Sequence, residues 1–324
     1  MSSAPSTRLD RMKRPFHSPR GHYVERYTSP HTHPGGSIWR TTLQKLRVPL
    51  AFAARRLTLG TGRHRALSKL RSLAGAGRGR EVLVIGSGPS ASSLRPQEVK
   101  KRQLAGDLLV VATNYFLDSP LAKTITPDYL VWADHVFNPA SPEHSAAQWD
   151  KLDSTHGVTA IVPWTWRRHI TVPSLESRTL FFDNDSLEGW SRNISPVRPR
   201  GYQGNTGVKA LAVALHLEPK TVLVVGIDLS YYRNFAVDAE NRILRQPTHI
   251  TGADSGTQEI GQHSVHGLAD ALYSTASQFL ALHTHFAGRP IINLDAHSLI
   301  DAFPKVTEHP LIKKSAAHAR RVSA

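Results

Sequence analysis

Cysteine is absent from the 324 residues, which excludes disulfides, thiolate zinc sites and cysteine nucleophiles at once. No run of about 18 uninterrupted apolar residues occurs, and the first 30 residues lack the apolar core and small-residue cleavage site of a secretory signal. The expectation is therefore a soluble or peripheral cytoplasmic chain. Acidic residues are nearly missing from the first 80 positions, where 17 Lys and Arg face only Asp10 and Glu25. Beyond residue 80 the signs balance, with 23 basic and 23 acidic residues. The net charge of +15 thus belongs to the extension, and gives no reason to read the folded part as a nucleic-acid binder.

The composition changes once, which favours one domain plus tails. Residues 1–36 are rich in Ser, Pro, His and Arg, with Pro5, Pro15, Pro19, Pro30 and Pro34 spaced too closely for a regular element, so a disordered basic tail is expected. Residues 37–80 form a basic amphipathic extension and linker. Ile38, Trp39, Leu43, Leu46, Leu50, Phe52, Ala53 and Leu57 recur at mostly helical spacing among five basic residues, and Pro49 divides the pattern. Such a segment can lie on an anionic membrane surface, here the inner face, or pack on the domain with solvated arginines. Gly75, Gly77 and Gly79 suggest a loose linker into the main domain at 81–304, and 305–324 read as a basic C-terminal tail.

Short apolar runs at 81–85, 108–112, 129–132, 159–162, 221–225 and 290–294 have the character of buried parallel strands. Helical patterns at 96–102, 142–152, 207–217 and 267–286 alternate with them. The fold class expected is α/β, a single Rossmann-like, doubly wound and mostly parallel sheet, with a lid loop.

In such sheets the ligand sits outside the carboxyl ends of the strands, so residues just after each run matter most. The first run ends in Gly86-Ser87-Gly88-Pro89-Ser90, where glycines permit a tight turn and hydroxyls offer hydrogen bonds. Ala91 replaces the third glycine of a dinucleotide fingerprint, and no Gly-Lys-Ser/Thr marks a Walker loop. The second run leads to Thr113-Asn114-Tyr115-Phe116 and the third to Asp134-His135, which could equally be turn or cap residues. Gly204-Asn205-Thr206-Gly207 opens a helix and places free amides and a hydroxyl at its N-terminus. The fifth run ends in Gly226-Ile227-Asp228, followed by a loop from Leu229 to Gln262 that is too long for a mere connector. His263-Ser264 closes it.

The order of these motifs, ending in Asn293 and Ser298-Leu299, resembles the bacterial family 42 sialyltransferases over roughly residues 81–304. The Gly-x-Gly-Pro-Ser turn is shared, more distantly, with motility accessory factor glycosyltransferases and an archaeal pterin pyrophosphokinase. The family 42 resemblance implies a GT-A-like variant of that Rossmann-like sheet and an inverting, metal-independent transfer from a CMP-linked sugar to a glycan or glycolipid acceptor, without a cofactor. It implies that His263 is the general base, and that Gly86, Ser87, Gly88, Ser90, Asn114 and Asp134 line the donor site, with Thr206 and Gly207 near the nucleotide. An imidazole near neutral pKa suits the base, and a CMP leaving group needs its phosphate charge stabilised.

The family's two lid tyrosines are matched here by Ser230 and Phe235, so Tyr231 and Tyr232 are the candidates to hold the leaving phosphate, with Arg233 as a cationic alternative. The family's arginine before the Ser-Gly is matched by Gln203, with Arg200 three residues earlier, and Asp134 stands in place of an asparagine. His266 is a rival to His263. His283 and His285 point to different helix faces and make a poor metal pair, and no metal site is expected. Asp228 reads as a residue of the lid's first turn, and Trp164 and Trp166 as cover for the core. Two other readings stay open on the same fold: a pyrophosphokinase-like phosphoryl transferase, and a nucleotide-sugar-binding protein without turnover. A homo-oligomer is compatible with the sequence.

Overall fold

The computed structural model describes residues 50, 53, 62–142, 144–185, 191–202, 204–229, 235–245, 250, 258–260 and 268–313. Its frame is a seven-stranded sheet of β1 (Glu81–Ile85), β2 (Leu108–Thr113), β3 (Tyr129–Val131), β4 (Thr159–Pro163), β5 (Thr179–Phe182), β6 (Thr221–Val225) and β10 (Ile291–Asn293). The strand order is β10-β6-β1-β2-β3-β4-β5, and every pair is parallel. The fold is therefore the Rossmann-like α/β class, with all seven strands parallel rather than most.

Burial on both faces explains why the strands read as unbroken apolar runs. Leu83, Ile85, Val110, Ala112, Leu130, Ala160 and Val162 point into one core. There they meet Val99 of α2 (Pro96–Leu104) and Trp149 and Leu152 of α3 (Ala146–Ser154). Val82, Val84, Val111, Val131 and Ile161 point the other way. They pack against α5 (Thr206–His216) and the end of α6 (Leu268–Phe286). Two shorter helices, α1 (Ser68–Arg71) and α4 (Pro173–Ser177), fill the periphery.

Several boundaries differ from the sequence reading. The β5 run Thr179-Leu-Phe-Phe is a further strand, at the sheet edge. Residues around Gly75, Gly77 and Gly79 are fixed to the domain rather than loose. Leu67 and Leu70 are buried, Gly77 N donates to Leu217 O at 2.7 Å, and Lys220 N donates to Arg80 O at 2.8 Å. Arg63 makes an ion pair with Asp183, both side chains being almost wholly out of solvent. The chain past residue 304 does not leave the domain either, as the tail boundary at 305 had it. Leu311 and Ile312 are buried, Arg95 N donates to Leu311 O and Lys313 N to Ser93 O, each at 2.8 Å. Apolar side chains at 311 and 312 hold a segment that its flanking charges would otherwise send into water.

The excursion between Asp228 and α6 carries a small antiparallel sheet, β7 (Phe235–Val237), β8 (Ile243–Arg245) and β9 (Gln258–Ile260). Among the described residues no helix is long and apolar enough to cross a membrane.

Removing one partner of a buried ion pair leaves the other charge desolvated, at a cost of about 3–5 kcal/mol. Arg63→Met is accordingly expected to lower urea-unfolding stability by about that amount. An unchanged unfolding midpoint would show that residues 62–80 are not part of the cooperative unit.

Candidate functional site

The chain runs out from β1 towards one edge of the sheet through β2, β3, β4 and β5, then returns through α5 to place β6 on the other side of β1. The connections leaving β1 and β6 therefore diverge, and the crevice between them is the switch point at which open α/β sheets bind ligands.

Two glycine turns meet there. Gly86 N donates to Val225 O and Gly88 N to Gly226 O, each at 2.8 Å. A Cβ on Gly86 would overlap the Gly226 carbonyl, and a Cβ on Gly226, whose φ is 75°, would overlap the Gly86 carbonyl. Only glycine lets the two backbones touch in this way. Asp228 closes the contact. Its carboxylate accepts from the Ser90 hydroxyl and, at 3.1 Å, from Ser90 N. The Ser90 hydroxyl in turn accepts from Gly226 N at 2.8 Å. Ser90 is thus engaged within the protein, where the resemblance had it lining the donor site. Asp228, read as a turn residue of the lid, instead ties the β6 turn to the β1 turn. Ser87 leaves its carbonyl to Ile250 N at 2.9 Å, so the excursion after β6 folds back onto the same turn.

At the end of β2, Asn114 adopts φ 50°, a left-handed conformation that asparagine tolerates better than most residues. Its carbonyl accepts from Trp132 Nε1 at 2.9 Å. Trp132 is stacked on Phe137 with ring centroids 5.0 Å apart, and Trp149 meets Trp132 edge-on at 4.9 Å. This aromatic block props Asn114 from below. The Asn114 Oδ1 atom is buried without a hydrogen-bond partner.

Asp134 follows β3 and accepts a hydrogen bond from Thr206 Oγ1 at 3.2 Å. That bond joins the sheet edge to the N-terminus of α5, which Asn205 caps by accepting from Val208 N at 3.1 Å. Gly207 lies against Ile227, directly after β6. One turn further along α5 stands Lys209, whose ammonium is driven down to about 8 by desolvation and by Arg200, against the attraction of Asp134. Burial pushes the Tyr202 hydroxyl up to about 12, so it stays neutral.

The structure therefore brings Gly86, Ser87, Gly88, Ser90, Asn114, Asp134, Thr206 and Gly207 to the carboxyl edge of one sheet. Gln203, Ser230, Tyr231, Tyr232, Arg233 and His263 lie outside the described residues, as does the rival His266. Trp166 is buried in the core and Trp164 packs against it. His283 pairs with Asp301 at 2.7 Å, and among the described residues no group of three or more side chains has the makings of a metal site. Sequence reasoning missed the Asp228 clasp and Lys209. The first had a signal, since a carboxylate two residues after a strand-end glycine faces whatever turn lies beside it. The second, a single lysine in an alanine-rich helix, looks like a solvated residue.

Fold and site together define a doubly wound α/β domain whose β1 and β6 turns meet at its switch point. No family model and no curated protein matches the chain. Among solved structures it is similar to a MAf glycosyltransferase from Magnetospirillum magneticum AMB-1, at 15% identity and a TM-score of 0.43, over 88% of this chain and 45% of that one. The chain thus spans less than half the length of that protein.

The clasp makes a specific energetic claim. Ser90→Ala and Asp228→Ala should each cost about 1–3 kcal/mol through the group left unsatisfied, and the double variant should cost little more than either alone. Additive losses in urea unfolding would show that the two residues act separately.

Proposed function

We propose that the chain is a glycosyltransferase of the sialyltransferase-like class. It takes a sugar from a nucleotide-activated, CMP-linked donor to a glycan or glycolipid acceptor, by inversion and without a metal. The observation that carries this reading is the convergence of the strand-end motifs, in the order that resembles family 42, on one switch-point crevice. The Gly86–Ser90 turn is held rigid by its own bonds, with Gly86 N, Gly88 N and Ser90 N engaged within the protein and the Ser87 amide left to face a ligand, and the α5 N-terminus at Thr206–Gly207 adds the positive end of a helix dipole. Together they suit a nucleotide phosphate, while the Asn114 Oδ1 acceptor is free to take a donor group from the ligand.

In this mechanism the acceptor hydroxyl attacks the anomeric carbon as the bond from that carbon to the phosphate oxygen breaks. His263 takes the hydroxyl proton, and CMP leaves with the bonding electrons. Tyr231, Tyr232 and Arg233 supply the groups that stabilise the departing phosphate. A single displacement inverts the anomeric centre. Apart from Arg63, which its pair with Asp183 holds inside the domain, the basic residues of positions 1–80 serve as an electrostatic tether to an anionic inner membrane face, where lipid-linked acceptors are reached.

A nucleotide that binds only the native state must raise its melting temperature, by the equivalent of about 2.7 kcal/mol at a hundredfold excess over Kd. A thermal-shift series with CMP, UDP, GDP and ATP should therefore respond to CMP. Donor hydrolysis or transfer should fall by at least about a hundredfold in His263→Ala, given the usual contribution of a general base. Equal activity in the two proteins would remove the role of His263, and a shift with ATP and Mg²⁺ alone would favour phosphoryl transfer.

A further inference from the structure

The end of α5 far from Thr206 borders a second recess. A groove of about 440 Å³ runs between the last turn of α5, the 192–195 stretch and the turn that leads from α6 into β10. It lies about 15 Å along the helix axis from the crevice, and none of the donor-site residues lines it. Its walls are apolar. Ile194 and Leu215 pack one side against the core and turn the other to the groove, with Pro219 and Pro290 beside them.

Most polar groups along these walls are committed. Glu218 forms an ion pair with Arg78, and His216 Nε2 donates to Leu70 O at 3.0 Å. Asn193 Nδ2 donates to Pro199 O at 2.8 Å, and its Oδ1 accepts from Ser195 N at 3.2 Å. Two guanidiniums remain. Arg192 and Arg289 both line the groove, and among the described residues neither side chain has a hydrogen-bond or ion-pair partner. The turn at Arg289 is made by its backbone, whose N donates to Phe286 O and whose O accepts from Ile291 N, so the fold does not require the side chain.

Two unmatched cations on one concave surface raise its potential, and apolar walls of low dielectric focus it. A guanidinium fork fits a carboxylate or a phosphate. The chain's own ends lack that charge. The first 80 residues set 17 Lys and Arg against Asp10 and Glu25, and the residues after 313 carry Lys314, Arg320 and Arg321 with no acid. The volume falls within the roughly 300–1,000 Å³ of small-molecule sites.

We propose that this groove is a second ligand site, which takes a free small organic anion, a phosphate or carboxylate carried on an apolar body. Arg192 and Arg289 hold the anionic end, and Ile194, Leu215, Pro219 and Pro290 receive the body. The site is independent of the crevice and of what the crevice binds.

The test is calorimetric titration of the full chain, as wild type, Arg192→Met, Arg289→Met and the double variant, with inorganic phosphate, ethyl phosphate, hexyl phosphate, hexanoate and hexanol. Wild type should bind hexyl phosphate or hexanoate, and the stronger of the two names the head group. Affinity should rise from ethyl to hexyl phosphate by about fourfold for each methylene buried, and hexanol should bind weakly. Each single variant should weaken the anion by about tenfold or more, since each removes a charge-assisted bond. CMP affinity should be the same in all four proteins, and CMP should not compete with the anion. Equal anion affinity in wild type and the double variant, competition by CMP, or inorganic phosphate binding as tightly as hexyl phosphate would overturn the proposal. So would arginine-dependent binding to phosphatidate vesicles with no binding of the soluble probes, which would make the groove a membrane contact instead.

Discussion

The back-to-back contact of Gly86 and Gly226 is the constraint on which the rest of the site depends. Parallel strands β1 and β6 run in register, Ile85 beside Val225, so their exits begin at the same level and would collide if either carried a side chain. Glycine at both positions removes the collision and lets backbone hydrogen bonds cross between the two turns. The Asp228 carboxylate then bonds Ser90 through both its oxygens, which sets the direction in which the β1 turn leaves the sheet. A ligand approaching the crevice meets a turn that is already ordered, and little entropy is left to lose there on binding.

The same contact fixes α5. Ile227 follows Gly226 and lies against Gly207, so the helix N-terminus is set by the β6 turn on one side and by the Thr206–Asp134 bond on the other. Along its length α5 is almost wholly buried, through Val208, Ala210, Leu211, Ala212, Val213 and Ala214. Such a helix has no freedom to slide, because its small side chains fit one register against β1 and β2. Lys209 interrupts the apolar series, half-buried beside the end of β5 and the 191–202 segment.

How far this was legible follows from the kind of signal each element leaves. Six apolar runs ending in polar residues mark six strands directly, because burial on both faces demands continuous hydrophobicity. β5 leaves a weaker mark, since Thr179-Leu-Phe-Phe is four residues long and sits between Arg178 and Asp183, both engaged in polar contacts. The helical turns near Leu67 and Leu70 are hidden by the arginines and glycines around them, and tertiary contacts such as the pair of Arg63 with Asp183 are what show that the segment belongs to the domain. The strand-end motifs were visible as a set, but not the bonds among them. Ser90 and Asp228 are 138 residues apart, and a sequence shows two polar residues where the structure shows one clasp.

That clasp also bears on the excursion that follows β6. Leu229 is buried and has φ 47°, a left-handed conformation that a leucine holds only when its surroundings over-determine it. It stands next to Asp228, and further along Ile250 N returns to the Ser87 carbonyl. The excursion is thus tied to the β1 turn at two points, once through the carboxylate at its root and once through its own backbone. A rearrangement of its root has to act on Ser90, because the residue that begins the excursion is the residue that holds the turn. The root of the excursion and the β1 turn are therefore coupled by geometry, through the Asp228 carboxylate and the Ile250 amide.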